Sequence, residues 1–296
     1  MGKHALLRII TCIFLFIMGV VFAWMFASRN NEEYSNNFNL MNSNDNSPNN
    51  NEEILSEILE IHFQTIDIHP YFDIVNEEIF NEVINNLNLI DFPFLKAIWH
   101  SRGRIVITDG VLTDIPTLAH LRGEETCNDA LNTCRSFDEI NGLHLHNRAY
   151  KRIRPCTPTS SREFNNIDEV RNFCNVQSRV YLATSTLFHE IGHLLNQSIA
   201  LIEQFGQITL RRLSDMDSFS SIRDDEFETL FSGLPGLTRY FRATHEYAAE
   251  SFALFYGFSS THQLRNPNIL RERAPRTYAH FRNMVLNYQP RPTDRW

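Results

Sequence analysis

The stretch Thr186-Leu187-Phe188-His189-Glu190-Ile191-Gly192-His193-Leu194-Leu195-Asn196 constrains the chain most, because it sets an HExxH spacing inside an apolar run. Four residues is about one helical turn, so His189 and His193 project from one face of a helix and can grip a single metal ion. On a surface helix the three polar groups would simply be solvated. Here Leu187, Phe188, Ile191, Leu194 and Leu195 surround them, and a helix apolar nearly all round is buried. Buried imidazoles and a buried carboxylate are costly unless hydrogen-bonded or coordinated, so the pattern itself demands a partner. Zinc takes imidazole nitrogen readily and leaves room for a third protein ligand and a water, on which the neighbouring Glu190 can act as general base. The expected chemistry is that of a zinc peptidase.

The third ligand has to come from a distance. A third histidine ten residues after His189, with glycine at the seventh, would complete one known pattern, but Ile199 and Asn196 occupy those positions. The best source is Thr244-His245-Glu246-Tyr247-Ala248-Ala249-Glu250-Ser251-Phe252-Ala253, a second helical segment whose acids are four residues apart. Glu246 is expected to bind the metal while Glu250 accepts a ring N–H from one histidine and fixes its tautomer. Alone, the same spacing would describe two exposed glutamates on an amphipathic helix. His245 is a rival ligand, although it points about 100° away from Glu246 on the helix. His144 and His146 alternate along Leu143–Arg148 and share one face of an expected strand, where they either border the cleft or form a polar sheet face.

Glu246-Tyr247-Ala248-Ala249-Glu250-Ser251-Phe252, followed by Leu264 and by Ala274-Pro275-Arg276-Thr277-Tyr278, resembles the carboxyl-terminal part of the anthrax lethal factor catalytic domain and its relatives, which include the bacterial Pro-Pro endopeptidases. Upstream, Arg104-Ile105-Val106-Ile107-Thr108-Asp109-Gly110, Ile115-Pro116, Leu121-Arg122-Gly123 and Phe137-Asp138-Glu139-Ile140-Asn141-Gly142 resemble that family's strand and following loop. The likeness covers roughly residues 100 to 288. It implies His189, His193 and Glu246 as metal ligands, Glu190 as the base, Glu250 as a supporting acid and Tyr240 as a tyrosine that assists catalysis. Tyr240 stands six residues before Glu246, one fewer than the family spacing.

The start of the chain bears on location. From Ile9 to Ala27, nineteen residues pass without a charge, long enough to cross a bilayer as a helix. Met25-Phe26-Ala27 is a poor cleavage site, which favours an anchor over a cleaved signal segment. Lys3 and Arg8 before the span, with Glu32 and Glu33 after it, orient the N-terminus to the cytoplasm. The rest would lie outside, membrane-anchored, or secreted if the segment is cleaved. Cys127, Cys134, Cys156 and Cys174 suit two disulfides in an oxidising compartment. Three connectivities are open, and sequence neighbours suggest Cys127 with Cys134 and Cys156 with Cys174. A four-cysteine zinc site and free buried thiols are the alternatives.

Three regions are expected: an anchor or signal segment over 1–29, an Asn-rich flexible tether over 30–51, and one metallopeptidase domain over 52–296. Helical spacing runs from Glu52 through Ile54, Leu55, Ile58, Leu59 and Ile61, and again through Val75, Ile79, Val83, Ile84 and Leu87. Arg104–Asp109 and Leu143–Ile153 read as strands, the HExxH and Glu246 segments as helices, with another helix near Val285. The expected fold class is α+β, a zincin-like (gluzincin) domain with a mixed sheet, preceded by a transmembrane helix. A net charge of −8 without a long basic run gives no footprint for nucleic acid. The reading is a zinc endopeptidase holding one ion and acting on protein or peptide substrates laid along an edge strand. Its alternatives are a catalytically inactive zincin-fold binding module and an extracellular structural module whose histidines are core groups.

Overall fold

The computed structural model describes residues 50–63, 70–128, 133–158, 163–198, 201–204, 207–210, 212–259 and 261–287. The expected anchor, and the tether up to residue 49, lie outside the described residues. Among those described, no helix is long and apolar enough to cross a membrane. The last two tether positions are helical in role: Asn50 Oδ1 accepts the Glu53 N–H at 2.8 Å and caps α1 (Asn51–Ile58).

After α1 come β1 (Leu59–His62), α2 (Pro70–Asn85), α3 (Phe92–His100) and β2 (Arg104–Thr108). Two antiparallel pairs follow, β3 (Glu125–Asn128) with β4 (Thr133–Ser136), and β5 (Gly142–Leu145) with β6 (Arg148–Arg152). Then come α4 (Ile167–Cys174), the long α5 (Val176–Ser198), and the pair β7 (Leu201–Gln204) and β8 (Gln207–Leu210). The chain continues through α6 (Asp217–Leu230), α7 (Pro235–Phe241), α8 (Thr244–Phe255), α9 (Ile269–Arg273) and α10 (Pro275–Asn287). The fold is α+β and helix-rich, with a mixed four-stranded sheet in the order β1-β2-β6-β5. β1, β2 and β6 are parallel, while β5 runs antiparallel at one edge.

Strand alternation divides the core. Ile105, Ile107 and Ala149 join the main cluster with Leu187, Phe188 and Ile191 of α5, whereas Val106 and Tyr150 turn the other way to Leu112, Ile115 and Leu118. Two expected elements differ from what forms. Leu59 and Ile61 do not extend the first helix, because Ile54, Leu55 and Ile58 complete its buried face and Leu59 turns extended, pairing with Ile105 in β1. Tertiary pairing there overrides local periodicity. The expected strand Leu143–Ile153 is instead a hairpin that reverses at His146 and Asn147, with His146 at φ 53° and Asn147 Nδ2 donating to the Arg102 carbonyl at 2.7 Å. His144 and His146 therefore do not share a strand face.

Both neighbour disulfides are present. Cys127–Cys134 bridges directly paired positions of β3 and β4, and the buried Cys156–Cys174 ties the chain after β6 to the end of α4.

Two contacts fix the C-terminal helices. A Cβ on Gly192 would fall 2.7 Å from both Cα and O of Ala249, so α5 and α8 cross backbone to backbone where only glycine fits. Glu226 of α6, 7% exposed, accepts the N–H groups of Arg276 (2.7 Å) and Thr277 (2.8 Å) and the Thr277 hydroxyl (2.8 Å), thereby capping α10. With its proton given to Glu226, the Thr277 oxygen accepts the Tyr247 O–H at 2.7 Å.

Candidate metal centre

The close crossing at Gly192 and Ala249 brings the polar groups of both helices together. His189, His193 and Glu246 each offer one ligand atom, and those atoms all lie within 4.8 Å of one another. Nε2 of His189 and Nε2 of His193 stand 3.2 and 3.3 Å from the same oxygen, Oε2 of Glu246. Nδ1 of His189 is 3.0 Å from Oε2 of Glu250, whose other oxygen accepts the Ser259 hydroxyl at 2.7 Å. A carboxylate oxygen accepts from Nδ1, so a His189 ring with a single proton carries it there, and its Nε2 lone pair then faces the lone pairs of Glu246. That arrangement is repulsive unless a proton or a cation lies between. The donor set of two imidazoles and a carboxylate fits a divalent metal.

The electrostatics follow from this crowding. Burial works against a charged His189, but its hydrogen bonds to Glu246 and Glu250 outweigh burial and hold its pKa well above the ordinary value. Burial likewise opposes ionisation of Glu246, and hydrogen bonds to His189, His193 and His245 overturn it, leaving the carboxyl far below the usual range. Glu190 is different: burial first, then the charge of Glu246, push its pKa up against the opposing pull of His189, His193 and Lys151. A carboxylate raised toward neutrality is a better proton acceptor.

A cavity of about 560 Å³ opens beside these groups, lined by Glu190, His193, Tyr240, His245 and Glu246 on one side and by Gly142, Leu143 and His144 of β5 on another. Thr126, Cys127, Thr133 and Arg135 of the disulfide-linked pair β3–β4 form a further wall. The Tyr240 phenol reaches Glu246 despite the shortened spacing; burial, then the charge of Glu246 and the hydrogen bond to it, raise its pKa, so it stays a donor. His245 approaches the other Glu246 oxygen at 3.4 Å, with half its side chain exposed at the rim. His144 stacks on His193 with ring centres 5.8 Å apart, and burial, helped by the charge of His193, lowers its pKa to about 3. His146 lies in the hairpin turn.

The sequence reading missed two residues beside the cleft. Gly142 faces Glu190 across the sheet–helix contact, and Lys151 is buried next to it. Neither carries a local signal, since both depend on the register of β5 with β6.

Two crossing helices that bring His189, His193 and Glu246 together, with a mixed sheet beside them, define an α+β fold with a donor cluster that could hold a metal ion. The anthrax toxin lethal factor family, N- and C-terminal domain, matches residues 50–284, and the chain belongs to that family. A solved structure of the Pro-Pro endopeptidase (PPEP-2) from Paenibacillus alvei is similar in fold, with a TM-score of 0.51 and 19% identity over 78% of this chain and 99% of that one. No curated protein matches the chain.

Proposed function

We propose that residues 52–296 form a zinc-dependent endopeptidase of the gluzincin kind, with His189, His193 and Glu246 holding one zinc ion. The convergence of two imidazole nitrogens on one Glu246 oxygen, at the floor of a cleft that also contains Glu190, carries this reading. Bound zinc would acidify a water and polarise the scissile carbonyl. Glu190 takes the proton of the attacking water and delivers it to the leaving amine. Tyr240 donates a hydrogen bond to the oxyanion that develops. Glu250, itself held by Ser259, keeps the His189 proton on Nδ1 and so leaves Nε2 available as a ligand.

The substrate is a peptide entering as an extended strand along β5, the sheet edge that borders the cleft. The similar structure is that of a Pro-Pro endopeptidase, which makes peptides with Pro–Pro bonds the first to test. We infer further that the catalytic domain lies outside the membrane, on an anchor at 1–29 and a tether at 30–51, or free if the anchor is cleaved. Two disulfides support that side.

The experiment measures zinc in protein purified without added metal, and turnover of a peptide library by wild type and Glu190→Gln. Expected are about one zinc per chain in both, and a loss of roughly 10²- to 10⁴-fold in turnover for the variant. Zinc without turnover would favour an inactive binding module. Absence of zinc would return the histidines to the core.

A further inference from the structure

Lys151 is 4% exposed in the middle of the sheet, between Ile107 of β2 and Gly142 of β5. Alternation along β6 puts it on the same face as Ala149, the face packed against α5. A buried ammonium is costly unless an anion compensates it. Burial draws its pKa down to about 8, and the charge acting the other way is that of Glu190.

Gly142 sets how closely Glu190 approaches the sheet. A Cβ there would fall 2.7 Å from Oε1 and 3.2 Å from Cγ of Glu190, and 2.5 Å from Cγ2 of Thr186. The missing side chain is therefore the space in which the Glu190 carboxylate lies against β5. Lys151 is the ladder partner of Gly142, and paired Cα atoms in an antiparallel sheet stand about 4.5–5.5 Å apart. Directly paired residues share a face, so the Lys151 side chain leaves the sheet on the side where Glu190 lies.

We propose that Lys151 is a positioning residue for Glu190: its ammonium compensates the buried carboxylate and fixes which oxygen turns into the cleft. This rests on Glu190 acting as the general base. Lys151 stands on β6 while His189, His193 and Glu246 stand on α5 and α8, so removing its charge deletes none of those three groups.

The test replaces Lys151 with Met, which keeps the unbranched stem and deletes the charge. In protein carrying ¹³C-labelled glutamate, the carboxyl resonance of Glu190 is the one that disappears in Glu190→Gln, and Lys151→Met should shift that resonance by more than its linewidth. Metal content and KM should match wild type while kcat falls about 10- to 100-fold, the scale of a misplaced reacting group. Combined with Glu190→Gln, the substitution should add little further loss, because it acts through the residue already removed. An unmoved resonance, an unchanged kcat, or a fall confined to KM or metal content would overturn the inference. Should Lys151→Met fail to fold, Lys151→Gln supports the same measurements. If wild type turns over no peptide, the peptidase reading fails, and the carboxyl resonance still decides whether Lys151 meets Glu190.

Discussion

Glu226 and Glu246 are both helical glutamates taken largely out of water, and each has a tyrosine in its network, yet their surroundings are opposite in kind. Glu226 is saturated by donors: two backbone N–H groups at the start of α10 and the Thr277 hydroxyl, which passes the chain of bonds on to Tyr247. The positive end of the α10 dipole adds to this. Glu246 instead faces the imidazole nitrogens of His189 and His193, and Glu250 binds the other nitrogen of His189. A carboxylate whose partners are fixed N–H and O–H donors holds two helices together; one whose partners are imidazole nitrogens, each a donor or an acceptor according to its protonation, can share a cation with them. The lesson is that burial of an acid says little until its donors are counted.

The comparison breaks most sharply at the two tyrosines. Tyr240→Phe should lower turnover by roughly 10²- to 10³-fold with stability, zinc content and substrate affinity little changed, as for loss of one oxyanion donor. Steady-state kinetics alongside a thermal melt checks this, and a negligible rate effect would reduce Tyr240 to a packing residue. Next in size, Glu226→Ala leaves buried N–H groups without acceptors and should cost about 3 kcal/mol of stability in a denaturant titration, with zinc binding per folded molecule unaltered. If zinc affinity fell with stability, the two networks would not be separate. The smallest effect sharpens the metal side: Glu250→Ala should weaken zinc binding by about 10- to 100-fold, less than Glu246→Ala does. Competition with a chelator ranks the pair, and the reverse order would move the ligand to Glu250.

How much of this could be read from the chain depends on the distance over which each signal acts. The HExxH helix is legible because a buried stripe, two histidines and their spacing all lie within one stretch of sequence, and the helix of Glu246 is legible for the same reason. The neighbour pairing of cysteines is also local, and both disulfides form. The split of Leu143–Ile153 into a hairpin is harder, since the only sequence mark of the turn is Asn147 within an otherwise strand-like alternation. Leu59 and Ile61 fit a helical spacing as well as a strand, and parallel pairing with β2 decides between them. Gly142, Lys151 and Glu226 are beyond local reading altogether. Their roles exist only once β5 lies against α5 and α6 against the start of α10.

The crossing of α5 with α8 also sets a timetable. Glu246 follows His189 by 57 residues, so at about 5–20 residues per second the ribosome delivers the acid roughly 3–11 s after the first histidine. During that interval the nascent chain already holds both histidines, Glu190 and the whole four-stranded sheet, but neither Glu246 nor Glu250. A chain released anywhere before α8 would keep the recognisable motif and have no donor set. The cluster of His189, His193 and Glu246 is therefore completed late in synthesis, when most of the scaffold around it has been made.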